Sequence, residues 1–336
     1  MMNKREAIIE LDNLSIGYHS KRGANVRYVA SDIDATLYNG ELTAILGANG
    51  IGKSTLIRTI TKSQPSLKGD IRLMGRSISG YTSSELATLM SVVLTDKLDL
   101  KNTRVVDLVG MGRAPYTGFW GALQPCDMAI VEQSLEQVNI SKLRNRMVDT
   151  LSDGERQKVM IAKALAQQTP VILLDEPTAF LDFPSKVETM QLLHKLAKEL
   201  NKTILLSTHD LDLALQVADK IWIMDGTSRL HIGVPEDLAL DGSLMHFFER
   251  KGVIFDKSSG LFRIDYKLVH QARVEGAGFR YSMVCKALLR CGVAVDSPMG
   301  DIVIRVSETR IEVQRSNANE CHTVETIEEL LEEILL

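Results

Sequence analysis

The sequence predicts an α/β fold on a mostly parallel sheet, with a helical subdomain inserted into it and a small α+β domain after it. Three observations carry this. Short apolar runs such as residues 42–46, 171–174 and 203–207 alternate with helical patterns, as strands of a parallel sheet covered on both faces do. From about residue 83 to 154 the alternation gives way to helical patterning alone. Beyond Leu240 it stops, and a new set of short strands and amphipathic stripes begins. The expected domains are 1–242 and 243–336.

Residues 7–16 have strand character and lead into Gly17-Tyr18; residues 19–25, polar and basic, read as a hairpin tip. The run 42–46 ends at a glycine-rich turn, and 54–61 continues at helical spacing. A strand at 69–73 closes this first unit. In the insertion, helices are expected at 83–90, 105–111 and 127–138, with a Gly-, Pro- and aromatic-rich loop at 112–125. A helix at 155–168, a strand at 171–174, a helix at 185–200, a strand at 203–207, a helix at 211–218 and a strand at 220–224 follow. In the tail, 253–255 and 261–264 read as one hairpin, and 301–306 and 310–314 as another. Phe279, Met283, Ala287, Leu288 and Cys291 share one helical face, and Ile327, Leu330, Leu331 and Ile334 form the stripe of a closing helix.

Composition narrows the function. The chain of 336 residues is 45% apolar and 24% charged, ample for a large core. A net charge of -4 spread along the chain argues against nucleic acid as a partner. Cys126, Cys285, Cys291 and Cys321 are scattered without metal-site spacing and read as free thiols. The polar start, 1–6, lacks an apolar signal segment, and no apolar run approaches the ~20 residues of a membrane-spanning helix. Any membrane connection is therefore expected through a separate partner.

The chemistry concentrates in Gly47-Ala48-Asn49-Gly50-Ile51-Gly52-Lys53-Ser54, which fits G-x-x-x-x-G-K-[ST]. Its glycines let backbone N–H groups converge on a phosphate, and the helix that follows adds its N-terminal dipole. Lys53 supplies charge to the outer phosphates, the Ser54 hydroxyl suits Mg²⁺, and Thr55 joins the nucleotide-binding set. Alone, the loop identifies a nucleoside triphosphate site shared by kinases, GTPases and motors. The strand 171–174 delivers Asp175 toward the magnesium, and Glu176 is placed to polarise an attacking water. Ser152 and Glu155 fit a capping box, which explains both locally; a serine at a helix start also makes an anion site. A second anion site in a chain that has its own phosphate loop suggests service to another subunit's ATP.

The order Tyr18, phosphate loop, signature at 151–157, strand 171–176, Phe180-Leu181-Asp182 and His209 resembles the ATP-binding subunit of ABC transporters over about residues 6–240. The resemblance implies a P-loop NTPase of ABC type, whose parallel core carries an antiparallel β part and a helical subdomain. It implies a head-to-tail homodimer with two ATP molecules between facing subunits. Tyr18 would stack on adenine, and Ser152 and Gly154 would contact the γ-phosphate held opposite. Asp182 would communicate across the dimer, and His209 would hold the γ-phosphate and water geometry. Three positions depart from the family. Thr95, followed by Asp96, stands where a magnesium-binding glutamine is usual, Asp153 replaces a glycine, and Glu155 replaces a glutamine.

The segment Gly110-Met-Gly-Arg113-Ala-Pro115 with Asp127 resembles the branch serving iron–siderophore, haem and cobalamin importers, where it lies in the subdomain that docks membrane subunits. The implied role is an ATPase at the cytoplasmic face of the inner membrane, peripheral through a polytopic permease and linked indirectly to a substrate-binding protein. Iron chelates are the favoured cargo. A soluble ABC-type ATPase and a non-hydrolysing regulatory module are the readings from other classes. For the tail, a dimer-stabilising role is expected.

Overall fold

The computed structural model describes residues 5–19, 26–94, 101–118, 121–226, 230–248, 252–256, 260–295, 302–315 and 321–335. They divide into two units, Met1–Phe247 and Phe248–Leu336.

In the first unit, β1 (Ala7–His19) and β2 (Val26–Tyr38) are long antiparallel partners. β3 (Leu42–Gly47) leads through the phosphate loop into α1 (Lys53–Ile60). β4 (Lys68–Leu73) and β5 (Arg76–Ser77) complete an antiparallel sheet of order β2-β1-β4-β5. Then come α2 (Ser83–Leu89), β6 (Met90–Val93), α3 (Val105–Gly110), α4 (Pro125–Gln137) and α5 (Asp153–Ala166). β7 (Val171–Asp175), α6 (Phe183–Glu199), β8 (Thr203–Ser207), α7 (Leu211–Val217) and β9 (Lys220–Met224) follow. β10 (Leu230–Gly233), α8 (Pro235–Leu240) and α9 (Ser243–Phe248) come last.

The main sheet runs β10-β9-β3-β8-β7-β6, parallel except for β10. All five residues of β7 and of β8 are buried, which is why both read as apolar runs rather than alternations. Each Leu or Ile buried there contributes about 1.5–3 kcal/mol relative to exposure. β3, β7 and β8 end on the same edge, and the loops leaving that edge carry the phosphate loop, Glu176 and His209.

Four readings change here. Residues 26–38, which show no strand pattern in the sequence, form β2; register shifts against β1 and the left-handed Asp32 (φ 53°) break its alternation. Met90, the last residue of the helix expected at 83–90, instead opens the edge strand β6, which runs to Val93 and pairs in parallel with β7. The expected loop at 112–125 contains a 3-10 helix, Met111–Tyr116, whose Arg113 is buried. The helix expected at 155 starts at Asp153, since Ser152 is its N-cap.

The second unit holds β11 (Val253–Asp256) and β12 (Leu261–Ile264) as an antiparallel hairpin. β13 (His270–Gly276), α10 (Gly278–Arg290), β14 (Val293–Ala294), β15 (Ile302–Val306), β16 (Ile311–Arg315), β17 (Cys321–Val324) and α11 (Ile327–Leu335) complete it. Its sheet is ordered β14-β13-β15-β16-β17, with β13 parallel to both neighbours. Ala272, Val284, Leu288, Ile304, Val313 and Leu330 form its core. Phe279, expected on the core face of α10, is 81% exposed, and Val284 takes the central place instead. An α-helix advances about 100° per residue, so a stripe drawn one residue off rotates its end into solvent.

Candidate nucleotide site

The loop after β3 is built for backbone approach. Gly50 (φ 77°) and Gly52 (φ 119°) occupy conformations that L side chains rarely adopt. A Cβ on Gly52 would meet Val29 Cγ1 at 2.1 Å, so this glycine is needed twice over. Ala48, Asn49 and Gly50 are exposed, whereas Ile51 packs against the core. The first helical bond of α1 runs from Leu56 N–H to the Gly52 carbonyl. The amides before it, in the first turn, therefore have no helical acceptor and face the loop's concavity. Backbone donors of this kind are the chemistry a polyphosphate requires.

Lys53 is buried, and its ammonium donates to the Gly47 carbonyl at 2.8 Å and lies 3.4 Å from Glu176 Oε1. Ser54 Oγ donates to Asp175 Oδ1 at 2.9 Å, bringing the end of β7 to the start of α1. A hydroxyl beside a carboxylate is a hard-oxygen pair of the type magnesium takes. Among the described residues no cluster of three or more His, Cys, Asp or Glu could cage a metal. A magnesium ion here would depend on phosphate oxygens and water for its remaining ligands.

Sequence reasoning missed Ser207. Its hydroxyl donates to Asp175 Oδ1 at 2.7 Å and accepts the Glu176 N–H at 2.9 Å. The available signal is its position: β8 lies beside β7, and a serine at its end faces the carboxylate. Glu176 itself is left-handed (φ 50°), a strained conformation for a non-glycine residue. It turns the carboxylate back toward the phosphate loop, where Oε2 meets His209 Nδ1 at 2.6 Å. Glu176 thus bridges Lys53 and His209.

Tyr18 is 45% exposed while its hydroxyl shares a 2.8 Å hydrogen bond with Thr55 Oγ1. That bond ties β1 to the first turn of α1. Asp182 caps α6, accepting the Ser185 N–H at 3.2 Å. Hydrogen bonds from Ser185 hold its carboxyl below the usual carboxylate range. Thr95 and Asp96 lie outside the described residues.

The signature stands apart within this chain. Ser152 and Glu155 form a reciprocal capping box, Glu155 N–H to Ser152 Oγ at 3.2 Å and Ser152 N–H to Glu155 Oε2 at 2.9 Å. Glutamate at position 155 therefore keeps the capping role expected of it. Asp153 is exposed in the first helical turn, where an acid is favourable to the dipole. A Cβ on Gly154 would reach Ser185 Oγ at 2.9 Å, which explains the glycine as close packing on α6. Among the described residues no hydrogen bond or ion pair joins Ser152 or Gly154 to the phosphate loop.

Arg113 also has a place other than a solvated loop. Its Nε donates to Asp127 Oδ1 at 2.9 Å, and its Nη1 to the Ala166 carbonyl and to Gln168 Oε1. Its guanidinium stacks on Tyr116, 4.0 Å from the ring centroid. It binds the 3-10 helix to α4 and α5.

No helix among the described residues is long and apolar enough to cross a membrane. The ABC transporter family model matches residues 30–179. An uncharacterised ABC transporter ATP-binding protein of Methanocaldococcus jannaschii is 37% identical over 257 residues, 76% of this chain and 87% of the relative. The petrobactin import ATP-binding protein of Bacillus anthracis is 33% identical, over 70% of this chain and 87% of its own length. The iron(3+)-hydroxamate import ATP-binding protein of Bacillus subtilis is 34% identical, over 61% and 74%. A dimeric bacterial ABC transporter cassette superposes with a TM-score of 0.59 at 25% identity, covering 68% of this chain and 98% of that one. A phosphate loop, an Asp-Glu strand end and a capped signature helix in one fold, together with relatives that match most of their own length, establish the family. The chain belongs to the ABC transporter ATP-binding proteins, ATPases coupled to transport.

Proposed function

We propose that this chain powers an importer of iron–siderophore or related iron chelates, hydrolysing Mg·ATP in a head-to-tail homodimer docked on a separate membrane permease. The observation that carries the reading is Glu176, strained in φ and held between Lys53 and His209 beside the Asp175–Ser54 pair. Lys53 and the loop amides bind the β and γ phosphates, and Tyr18 offers its exposed ring to adenine. Asp175 and Ser54 would hold magnesium, which would supply charge neutralisation at the transferring phosphoryl group. Glu176 accepts the proton of the attacking water, and His209 fixes the carboxylate while it does so. The bond between Lys53 and Glu176 is exchangeable: phosphate oxygens compete for the ammonium and free the carboxylate for water.

Ser152 and Gly154 sit away from this loop in their own chain, which supports their serving the site of a second copy, with Asp182 at the junction. The iron cargo rests on the names of the petrobactin and iron(3+)-hydroxamate relatives. The permease and its substrate-binding protein place the ATPase peripherally, at the cytoplasmic face of the membrane.

Glu176→Gln tests the motor. The variant is expected to bind ATP, to accumulate as a dimer in ATP by sedimentation velocity, and to lose turnover. A Glu176→Gln variant that turns over ATP like the parent overturns the assigned base. Uptake of radiolabelled ferric chelates into vesicles bearing the permease tests the cargo; uptake of cobalamin in place of iron overturns it.

A further inference from the structure

The helices α10 and α11 leave a groove whose rim carries both signs of charge. Arg290, at the end of α10, lines it together with Ile327, Glu328, Leu331, Glu332 and Leu335 of α11. It encloses about 670 Å³. Leu330, on the inward side of α11, is fully buried, whereas Leu335 is 49% exposed.

The glutamates of α11 divide in two. Glu329 accepts the N–H groups of Glu325 and Thr326, which closes the start of its own helix. The carbonyl of Glu333 accepts a bond from Arg315. Local structure accounts for the carboxylate of Glu329. Glu328 and Glu332, both exposed, have no hydrogen bond or ion pair among the described residues, and neither has Arg290. Like charges four residues apart on a helix repel each other by a few tenths of a kcal/mol, about 0.2–0.5. Two uncompensated carboxylates and a guanidinium around apolar side chains thus carry a small cost with no partner in their own unit.

The charge pattern on the rim of this groove is its own complement. A two-fold rotation brings the cation of one copy onto the acids of the other, twice over, with the leucines between them. We infer that the groove docks a second copy of this chain, Arg290 of each copy facing Glu328 and Glu332 of the other and Leu331 and Leu335 packed at the centre. The contact involves no nucleotide, so it is distinct from the ATP-dependent dimer proposed above and can fail independently of it. Its small apolar area makes it a weak association.

The test is charge reversal in the full chain, read by sedimentation velocity without nucleotide. Wild type is expected to self-associate. Arg290→Glu alone, and Glu328→Arg with Glu332→Arg, are each expected to weaken association about tenfold or more, since each puts like charges face to face. Mixing the two variants, or combining all three substitutions in one chain, restores both pairs and the association. Unfolding cannot mimic that rescue, and ATP hydrolysis by each variant checks that the first unit is intact. Wild type that stays monomeric without nucleotide overturns the inference. So do variants that associate like wild type, as they would if the groove were covered by the same chain, and a mixture no tighter than its components.

Discussion

Two charged constellations in the first unit each pair a cation with a carboxylate and end in opposite states. Around Arg113 the contacts are buried and fixed: one carboxylate, one carbonyl, one side-chain amide and one aromatic face surround the guanidinium. Around Glu176, the partners are few and exchangeable, the backbone is strained, and His209 is half exposed. A saturated buried pair locks helices together, because removing one partner strands the other. An unsaturated pair at a sheet edge is free to trade its partner for substrate. The charge at Arg113 is thus fixed in place, whereas that at Glu176 keeps few partners and a half-exposed one among them.

The largest expected effect comes from making both constellations apolar. Lys53→Met with Glu176→Leu should reduce steady-state ATP hydrolysis by on the order of 10²–10⁴-fold while leaving Tm unchanged or raised. Arg113→Met with Asp127→Leu should leave both nearly intact. Equal losses of activity in the two double variants, after correction for folded fraction, would erase the contrast.

Next in size is the single change Arg113→Ala, which leaves Asp127 without its cation and should lower Tm by about 10 °C in a thermal scan. A Tm within a degree or two of wild type would show the pair to be dispensable. Gly52→Ala sharpens the picture of the loop. The left-handed backbone and the contact with Val29 put its cost at about 1–3 kcal/mol, visible as weaker ATP binding by calorimetry. Unaltered affinity would mean that the loop tolerates a side chain there.

The smallest effect belongs to a third cluster. Burial pushes the Asp210 carboxyl up, but hydrogen bonds from Lys186 and Thr178 and the Lys186 charge outweigh it, so its pKa lies below the ordinary value. The folded state thus binds this proton more weakly than the unfolded chain does. The stabilisation is present above the unfolded carboxylate pKa of about 3.9 and is lost as pH falls through the folded value. Asp210→Asn should flatten the acid limb of a urea-midpoint-against-pH curve; an unchanged limb would assign the acid sensitivity elsewhere.

Much of the nucleotide site was legible because its parts are contiguous. A loop that must offer backbone amides has to use glycine at Gly50 and Gly52, and a fully buried strand that ends at the sheet's carboxyl edge spells apolar residues and then Asp175. The buried strands β7 and β8 announced themselves for the same reason. Where the determinant was an interaction between distant residues, the reading fell short. Ser207 matters only because β8 lies beside β7, and Arg113 only because Asp127 and Gln168 converge on it. β2 hid behind its bulges, β6 drew its strand identity from β7, and Phe279 was misplaced by one step of helical rotation.

By itself the sequence determined a parallel α/β core, a phosphate loop and a helix capped by Ser152, and it named candidates for hydrolysis, because each is written in a short window of the chain. Only the tertiary structure decided that Glu176 lies between Lys53 and His209, that Arg113 is a clamp, and that Arg290, Glu328 and Glu332 are left without partners. Those outcomes depend on which windows meet in space, and no local period or spacing encodes that meeting.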